Sequence, residues 1–217
     1  MKNSWIFILI FWCWTACSGP KEKQEQLTLP MEVAKAYGYE NFKNIKSIHY
    51  TWNVQIDSAR QIARTWTWNI PERVVHYTGQ DTSMQYSLTE VNEGLEKMDH
   101  SFINDKYWLM FPFQLAWDRG YEYEVEKKSN APISGQPCTR LTIIYPQDKG
   151  YTPGDAYDLF IDDNNMIMEW VYRKGNGSKG RAYTWEGVKQ YGGIKLATEH
   201  KNEAGEMKIW FSDIQVK

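Results

Sequence analysis

Beyond residue 47 the chain alternates between apolar and polar positions with a period of two, the mark of strands with one wet face. Ile48, Tyr50, Trp52, Val54 and Ile56 alternate with His49, Thr51, Asn53 and Gln55. Ile62, Trp66, Trp68 and Ile70 alternate in turn with Ala63, Thr65, Thr67 and Asn69, until Pro71 ends the run. Further strands are predicted over residues 73–78, at Met84-Tyr86-Leu88, Tyr121-Tyr123-Val125, Leu141-Ile143-Tyr145, Tyr157-Leu159-Ile161, Met166-Met168-Trp170-Tyr172, Tyr183-Trp185, Ile194-Leu196 and Met207-Ile209-Phe211. Asp162-Asp-Asn-Asn165 reads as a hairpin loop, because Asn and Asp tolerate positive φ. Roughly ten or eleven short strands at these spacings predict a sandwich or barrel.

Two segments break the alternation. Residues 29–39 predict one short helix: Pro30 suits its first turn, Val33, Ala36 and Tyr37 form an apolar stripe, and Gly38 closes it. Residues 99–118 carry Phe102, Ile103, Tyr107, Trp108, Leu109, Met110, Phe111, Phe113, Leu115 and Trp117 with no period of two. The part before Pro112 is helix-compatible, and Pro112 ends or kinks it. So dense an apolar run needs a sheet to cover it.

The first 16 residues form an export signal: Lys2, then an apolar run over residues 5–14, then Thr15 and Ala16 before Cys17. The run falls short of the roughly 20 residues that span a bilayer. Small residues before Cys17 suit a lipoprotein peptidase, which leaves Cys17 as the acylated first residue; bulky Trp12 sets Cys13 aside. Trp14 departs from the usual aliphatic lipobox position. Residues 17–28 then form a polar lipidated tether, and residues 29–217 a single domain. The expected location is the cell envelope, on an outer-membrane lipoprotein at the periplasmic face or the cell surface.

Charge and composition narrow the chemistry. The balance of 25 basic against 27 acidic residues argues against nucleic acid as the main partner. Once Cys13 leaves and Cys17 is acylated, Cys138 alone remains, which excludes an internal disulfide. His49, His76, His100 and His200 are too scattered for a zinc motif and are expected on solvated strand faces. No nucleophile elbow, phosphate loop or dinucleotide fingerprint is present. The expectation is a protein that is not an enzyme and needs no metal or cofactor. An enzyme acting on glycans or lipids would need Asp105, Asp118 or Asp155 in one cleft.

The unusual feature is tryptophan, with 11 residues of which Trp5, Trp12 and Trp14 lie in the signal. The apolar face formed by the strands either fills a core or lines a cavity, for which Met and aromatic side chains are suited.

The runs Asn104-Asp-Lys-Tyr-Trp-Leu109 with Pro112, and Tyr151-Thr-Pro-Gly-Asp155 with Tyr157, resemble those of an uncharacterised family of Bacteroidota lipoproteins. The family's glycine pair after the first helix is here Gly38-Tyr39. At the level of fold the chain is similar to lipoprotein carriers of LolA, LolB and LppX type. That resemblance implies a mainly β (α+β) fold, an open antiparallel half-barrel of about 10–11 strands with short helices covering the concave face. It also implies a hydrophobic ligand, a lipid or lipoprotein acyl chain. The alternating aromatic positions and the absence of catalytic spacing make Trp66, Trp68, Trp108, Phe111, Trp117 and Trp170 the expected walls of such a site. The alternative is a structural or interaction lipoprotein with a filled core, docking on an envelope partner.

Overall fold

The computed structural model describes residues 27–57, 59–148 and 152–217. The export signal, Cys17 and the tether up to residue 26 lie outside the described residues. Of the helices, α1 spans Leu29–Ala36, α2 Tyr39–Phe42 and α3 Glu96–Trp117. Gly38 ends α1 at φ 90°, a left-handed value that costs a glycine little. A Cβ there would lie 2.6 Å from the Gly193 carbonyl oxygen.

Among the described residues there are thirteen strands, eleven of which follow the predicted alternation. One six-stranded sheet has the order β12 (Glu199–Lys201), β13 (Lys208–Val216), β1 (Ser47–Gln55), β2 (Gln61–Asn69), β3 (Val74–Thr78), β4 (Ser83–Ser87). The second has the order β5 (Glu122–Asn130), β6 (Pro137–Ile144), β7 (Ala156–Ile161), β8 (Ile167–Arg173), β9 (Arg181–Thr184). A small hairpin pairs β10 (Lys189–Tyr191) with β11 (Ile194–Leu196). The two large sheets meet where Tyr183 bridges Asn202 and Glu186 bridges Glu199. They thus form one open antiparallel surface of eleven strands, with no closed barrel. Two strands lie outside the sequence expectation, β10 and β12, because their three residues, Lys-Gln-Tyr and Glu-His-Lys, carry no apolar pair at alternate positions as β11 does.

Register puts the aromatic residues on one face. Ile48 lies opposite Trp68, Tyr50 opposite Trp66, and Trp52 opposite Phe211. In the other sheet Val125, Leu141, Leu159, Trp170 and Tyr183 form one row. The opposite face of β1, β2 and β3 is polar, with Thr51 Oγ1 3.0 Å from Thr65 Oγ1 and His49 Nδ1 2.7 Å from Thr67 Oγ1. The loop 162–165 turns as expected: Asn165 has φ 59°, and Asp162 Oδ1 accepts the backbone N–H groups of Asn164 and Met166 at 2.9 and 2.8 Å.

Helix α3 lies against the inner face and touches both sheets. Phe102 packs on Trp66 of β2, and Phe111 packs on Tyr157 of β7 and Trp170 of β8. It continues past Pro112 with a kink at Met110 (φ −123°, ψ 16°), since Pro112 supplies no N–H to the carbonyl four residues earlier. Strand β5 departs from expectation: Tyr123 and Val125 are 42% and 41% exposed. They share a face with buried Leu141 and Ile143, but this edge strand extends past the cover of the helix.

Candidate functional site

The kinked helix divides the concavity in two. On one side lies a cavity of about 580 Å³. Its buried walls are Trp52 and Val54 from β1, Ile103 and Tyr107 from α3, Tyr157, Trp170 and Tyr183 from the second sheet, and Ile209 from β13. Half-buried or exposed residues form its rim: Ile56, Ile62, Trp108, Tyr172 and Met207 with His100, Asn104, Asp155 and Arg181. An apolar hollow of this size with a few polar groups at the entrance is the usual form of a small-molecule site. Trp108 packs edge-on against Trp170 and Tyr183, both at 4.8 Å between ring centroids. Tyr157 stacks on Trp170 at 5.3 Å.

The other side is filled. Trp66 and Phe102 are buried, and Trp68 contacts Phe102, Phe42 and Trp117. Within this cluster Lys106 Nζ lies 5.3 Å from the Trp68 ring, 5.6 Å from Phe102 and 6.0 Å from Trp117. Lys106 makes no ion pair among the described residues, and its amine is pushed down to about 8. Burial is the main cause, and the more distant Asp118 and Asp99 oppose it.

Of the six residues expected to form ligand walls, the structure therefore sets Trp108 and Trp170 on the cavity. Trp66 and Phe111 are both 0% exposed and sit in the packed interior. Trp68 joins the filled cluster, and Trp117 faces both that cluster and a shallow surface groove beside α1 and α2. The sequence pattern places Trp52 and Tyr172 on the apolar face but not among the six walls, and it does not select Tyr157 or Tyr183 for the cavity, although all four are in phase with that face. Strand pairing, invisible in one sequence, decides which of the in-phase residues meet.

An in-phase charge also escapes the sequence pattern. Arg64 lies between Ile62 and Trp66 on the inward-facing side of β2. Its Nε and Nη2 donate to Asp105 Oδ2 and Oδ1 at 2.7 and 2.6 Å, while Trp66 Nε1 donates to Oδ2 at 2.9 Å. The guanidinium also lies 4.1 Å from the centroid of the Trp52 ring. Burial raises the Asp105 carboxyl, and Arg64 and Trp66 oppose that shift. This bidentate contact ties α3 to β2 beside the cavity.

The three aspartates considered for catalysis have separate partners. Asp105 serves Arg64; Asp118 Oδ2 accepts the hydroxyls of Tyr145 at 2.6 Å and Tyr107 at 3.1 Å. Asp155 accepts the Tyr172 hydroxyl at 2.9 Å and the Gly175 N–H at 2.8 Å.

The expectation for histidines is corrected at two positions. His100 is exposed but stands on α3, and His200 is 0% exposed. The His200 Nδ1 lies 3.0 Å from the Thr184 carbonyl, and its ring packs against Trp185 and Trp108 at 4.5 and 5.4 Å. Burial pushes it down to about 4, with the Thr184 and Trp108 carbonyls opposing. The Trp108 carbonyl is the one that Pro112 leaves without its helical donor. Strand β12 is too short for its pattern to show that His200 points inward.

No family model matches the chain, and no curated protein matches it. Among solved structures, a LolA-superfamily protein from Nitrosomonas europaea matches with a TM-score of 0.51 at 8% identity, covering 88% of this chain and 94% of that one. The fold is LolA-like. A DUF1329 family protein from Desulfovibrio piger matches with a TM-score of 0.50 at 8% identity, over 86% of this chain and 91% of that one. A putative outer membrane lipoprotein-sorting protein domain from Vibrio parahaemolyticus has a TM-score of 0.44 at 12% identity, over 87% and 93%. At such identities the LolA likeness is one of architecture, and function has to be argued from the site.

Proposed function

We propose that this protein is a membrane-anchored lipoprotein of the cell envelope that binds a hydrophobic ligand, a lipid or acyl chain, between α3 and the curved sheet. The observation that carries the reading is the cavity of about 580 Å³ walled by Trp52, Trp108, Trp170, Tyr157 and Tyr183. The LolA-like fold and the sequence of the first 17 residues support it. Of the walls inferred from sequence, Trp108 and Trp170 are the proposed contacts; Trp66, Trp68, Phe111 and Trp117 support them from the packed side.

Purification without detergent, followed by native mass spectrometry and lipid analysis of an organic extract, tests the reading. A defined lipid at near one-to-one stoichiometry is expected. A bare mass, with no uptake of added palmitate or phospholipid, would refute it.

A second reading has its own observation. The packed side of α3, with Trp66 and Phe102 buried, resembles the filled core of an interaction lipoprotein that docks on an envelope partner. A protein that takes up no lipid but retains one stoichiometric partner in pull-downs would favour it.

A further inference from the structure

The cavity is polarised. Its floor, made of Trp52, Val54, Ile103, Trp170 and Ile209, is buried and carries no ionisable group, whereas Arg181, His100, Asn104 and Asp155 stand at its rim. The rim groups differ in what they already hold. Asp155 has both carboxylate oxygens engaged, by the Tyr172 hydroxyl and the Gly175 N–H. The Asn104 side-chain N–H donates to Asp105 at 3.0 Å. Arg181 is hydrogen-bonded to the Tyr183 side chain but makes no ion pair among the described residues, and it is the cationic side chain on this rim that is charged at every physiological pH.

Volume sets the scale of what lies beneath. A chain carbon takes up roughly the 30 Å³ that a water molecule claims in the liquid. A cavity of about 580 Å³ therefore has room for a chain of at least roughly 15–20 carbons.

We infer that the ligand is an apolar chain ending in an anionic group, a carboxylate or a phosphate, with Arg181 receiving the anion at the rim. This rests on the proposed binding of an apolar ligand in the same cavity and adds the charge of its head. The chain lies against the indole and phenol rings. The head stays at the rim, where a guanidinium pairs either anion through two parallel N–H groups. The nearby Asp155 carboxylate repels an anion, but its oxygens are directed to Tyr172 and Gly175.

The test is equilibrium binding to the purified, delipidated protein, read by tryptophan emission and checked by native mass spectrometry. Its probes share one chain length: hexadecanoate, hexadecyl phosphate, hexadecanol and hexadecyltrimethylammonium, with a dipalmitoyl phosphatidylglycerol for comparison. Both anions should bind about tenfold or more tightly than hexadecanol at low salt, the scale of one charge-assisted hydrogen bond. The stronger of the two identifies the head group. Arg181→Gln should bring the anions down to the level of hexadecanol and leave hexadecanol unchanged. Arg181 is exposed, and circular dichroism checks that the variant is folded.

Equal affinity for hexadecanol and the anions overturns the role of Arg181 while leaving the apolar site intact. Preference for the ammonium probe assigns the rim to Asp155 and overturns it too. Dipalmitoyl phosphatidylglycerol whose affinity Arg181→Gln leaves unchanged also overturns the role of Arg181. Failure of every probe, hexadecanol included, removes the apolar site itself.

Discussion

Replacing Lys106 by methionine should make the protein more stable at neutral pH, and the gain should fade as the solution becomes alkaline. Lys106 is 9% exposed, and its ammonium has aromatic rings around it but no carboxylate in ion-pair range. Its pKa falls from 10.5 to about 8 on folding. Between these values the unfolded chain binds the proton more tightly than the folded one, so stability rises with pH across that window. At pH 7 the charged lysine costs about 3 kcal/mol, since each tenfold loss of proton affinity is worth about 1.4 kcal/mol. By pH 9.5 the same relation leaves about 1 kcal/mol. Lys106→Met keeps the stem, whose packing against those rings is retained, and should gain up to about 3 kcal/mol at pH 7. Urea unfolding of both proteins at pH 7 and 9.5, followed by tryptophan emission, measures the difference. It should shrink by about 2 kcal/mol between the two pH values. A difference that does not change with pH, or a variant less stable by 2 kcal/mol or more at pH 7 (roughly the scale of a lost core contact), would refute the reasoning.

Other outcomes follow from the same geometry. Arg64→Ala leaves Asp105 buried without its cation and should cost about 3–5 kcal/mol in chemical denaturation, whereas Arg64→Met with Asp105→Leu should recover most of that loss. His200 has a folded pKa of about 4 against 6.5 in the free residue; the unfolded state binds more protons between those values, so stability should fall as pH drops from 6.5 to 4. His200→Phe should flatten that fall in thermal melts, and an unchanged slope would assign it to other groups. Trp108→Ala opens the cavity wall and should weaken hexadecanol binding about tenfold or more, whereas Trp68→Ala, on the packed side, should reduce stability by about 3 kcal/mol or more and leave that affinity unchanged in the folded fraction.

Much of this architecture can be read from the chain, and the reasons for the gaps are physical. Strands β1 and β2 are legible because each runs nine residues with alternation broken in phase only by Arg64, enough to define a face. Strands β10 and β12 are not, because their three residues hold no apolar pair at alternate positions. Pro112 marks a break, yet α3 continues through it, since tertiary packing of Phe111, Phe113 and Leu115 outweighs the one missing hydrogen bond. Arg64 is a different kind of gap. A charge in phase with Trp66 and Trp68 points to a buried partner, but only the fold reveals that the partner is Asp105. The candidate site is legible in composition, as an excess of indoles, and not in position: the cavity draws on rows from both sheets, and no local pattern links residue 52 to residue 170.

The junction of the two sheets has a consequence for how large a guest can be. Elsewhere neighbouring strands share several paired residues, but β9 and the β12 region pair as strands only at Tyr183–Asn202 and Glu186–Glu199, helped by side-chain bonds of His200 and Lys201 to Thr184 and Glu186. Tyr183 is also a cavity wall. A seam with so few ladder pairs should give way before a full ladder does, and the cavity should widen there first. Amide hydrogen exchange at this junction should run faster than in β1 or β7, and it should slow when a guest fills the space and presses the two sheets into a fixed spacing.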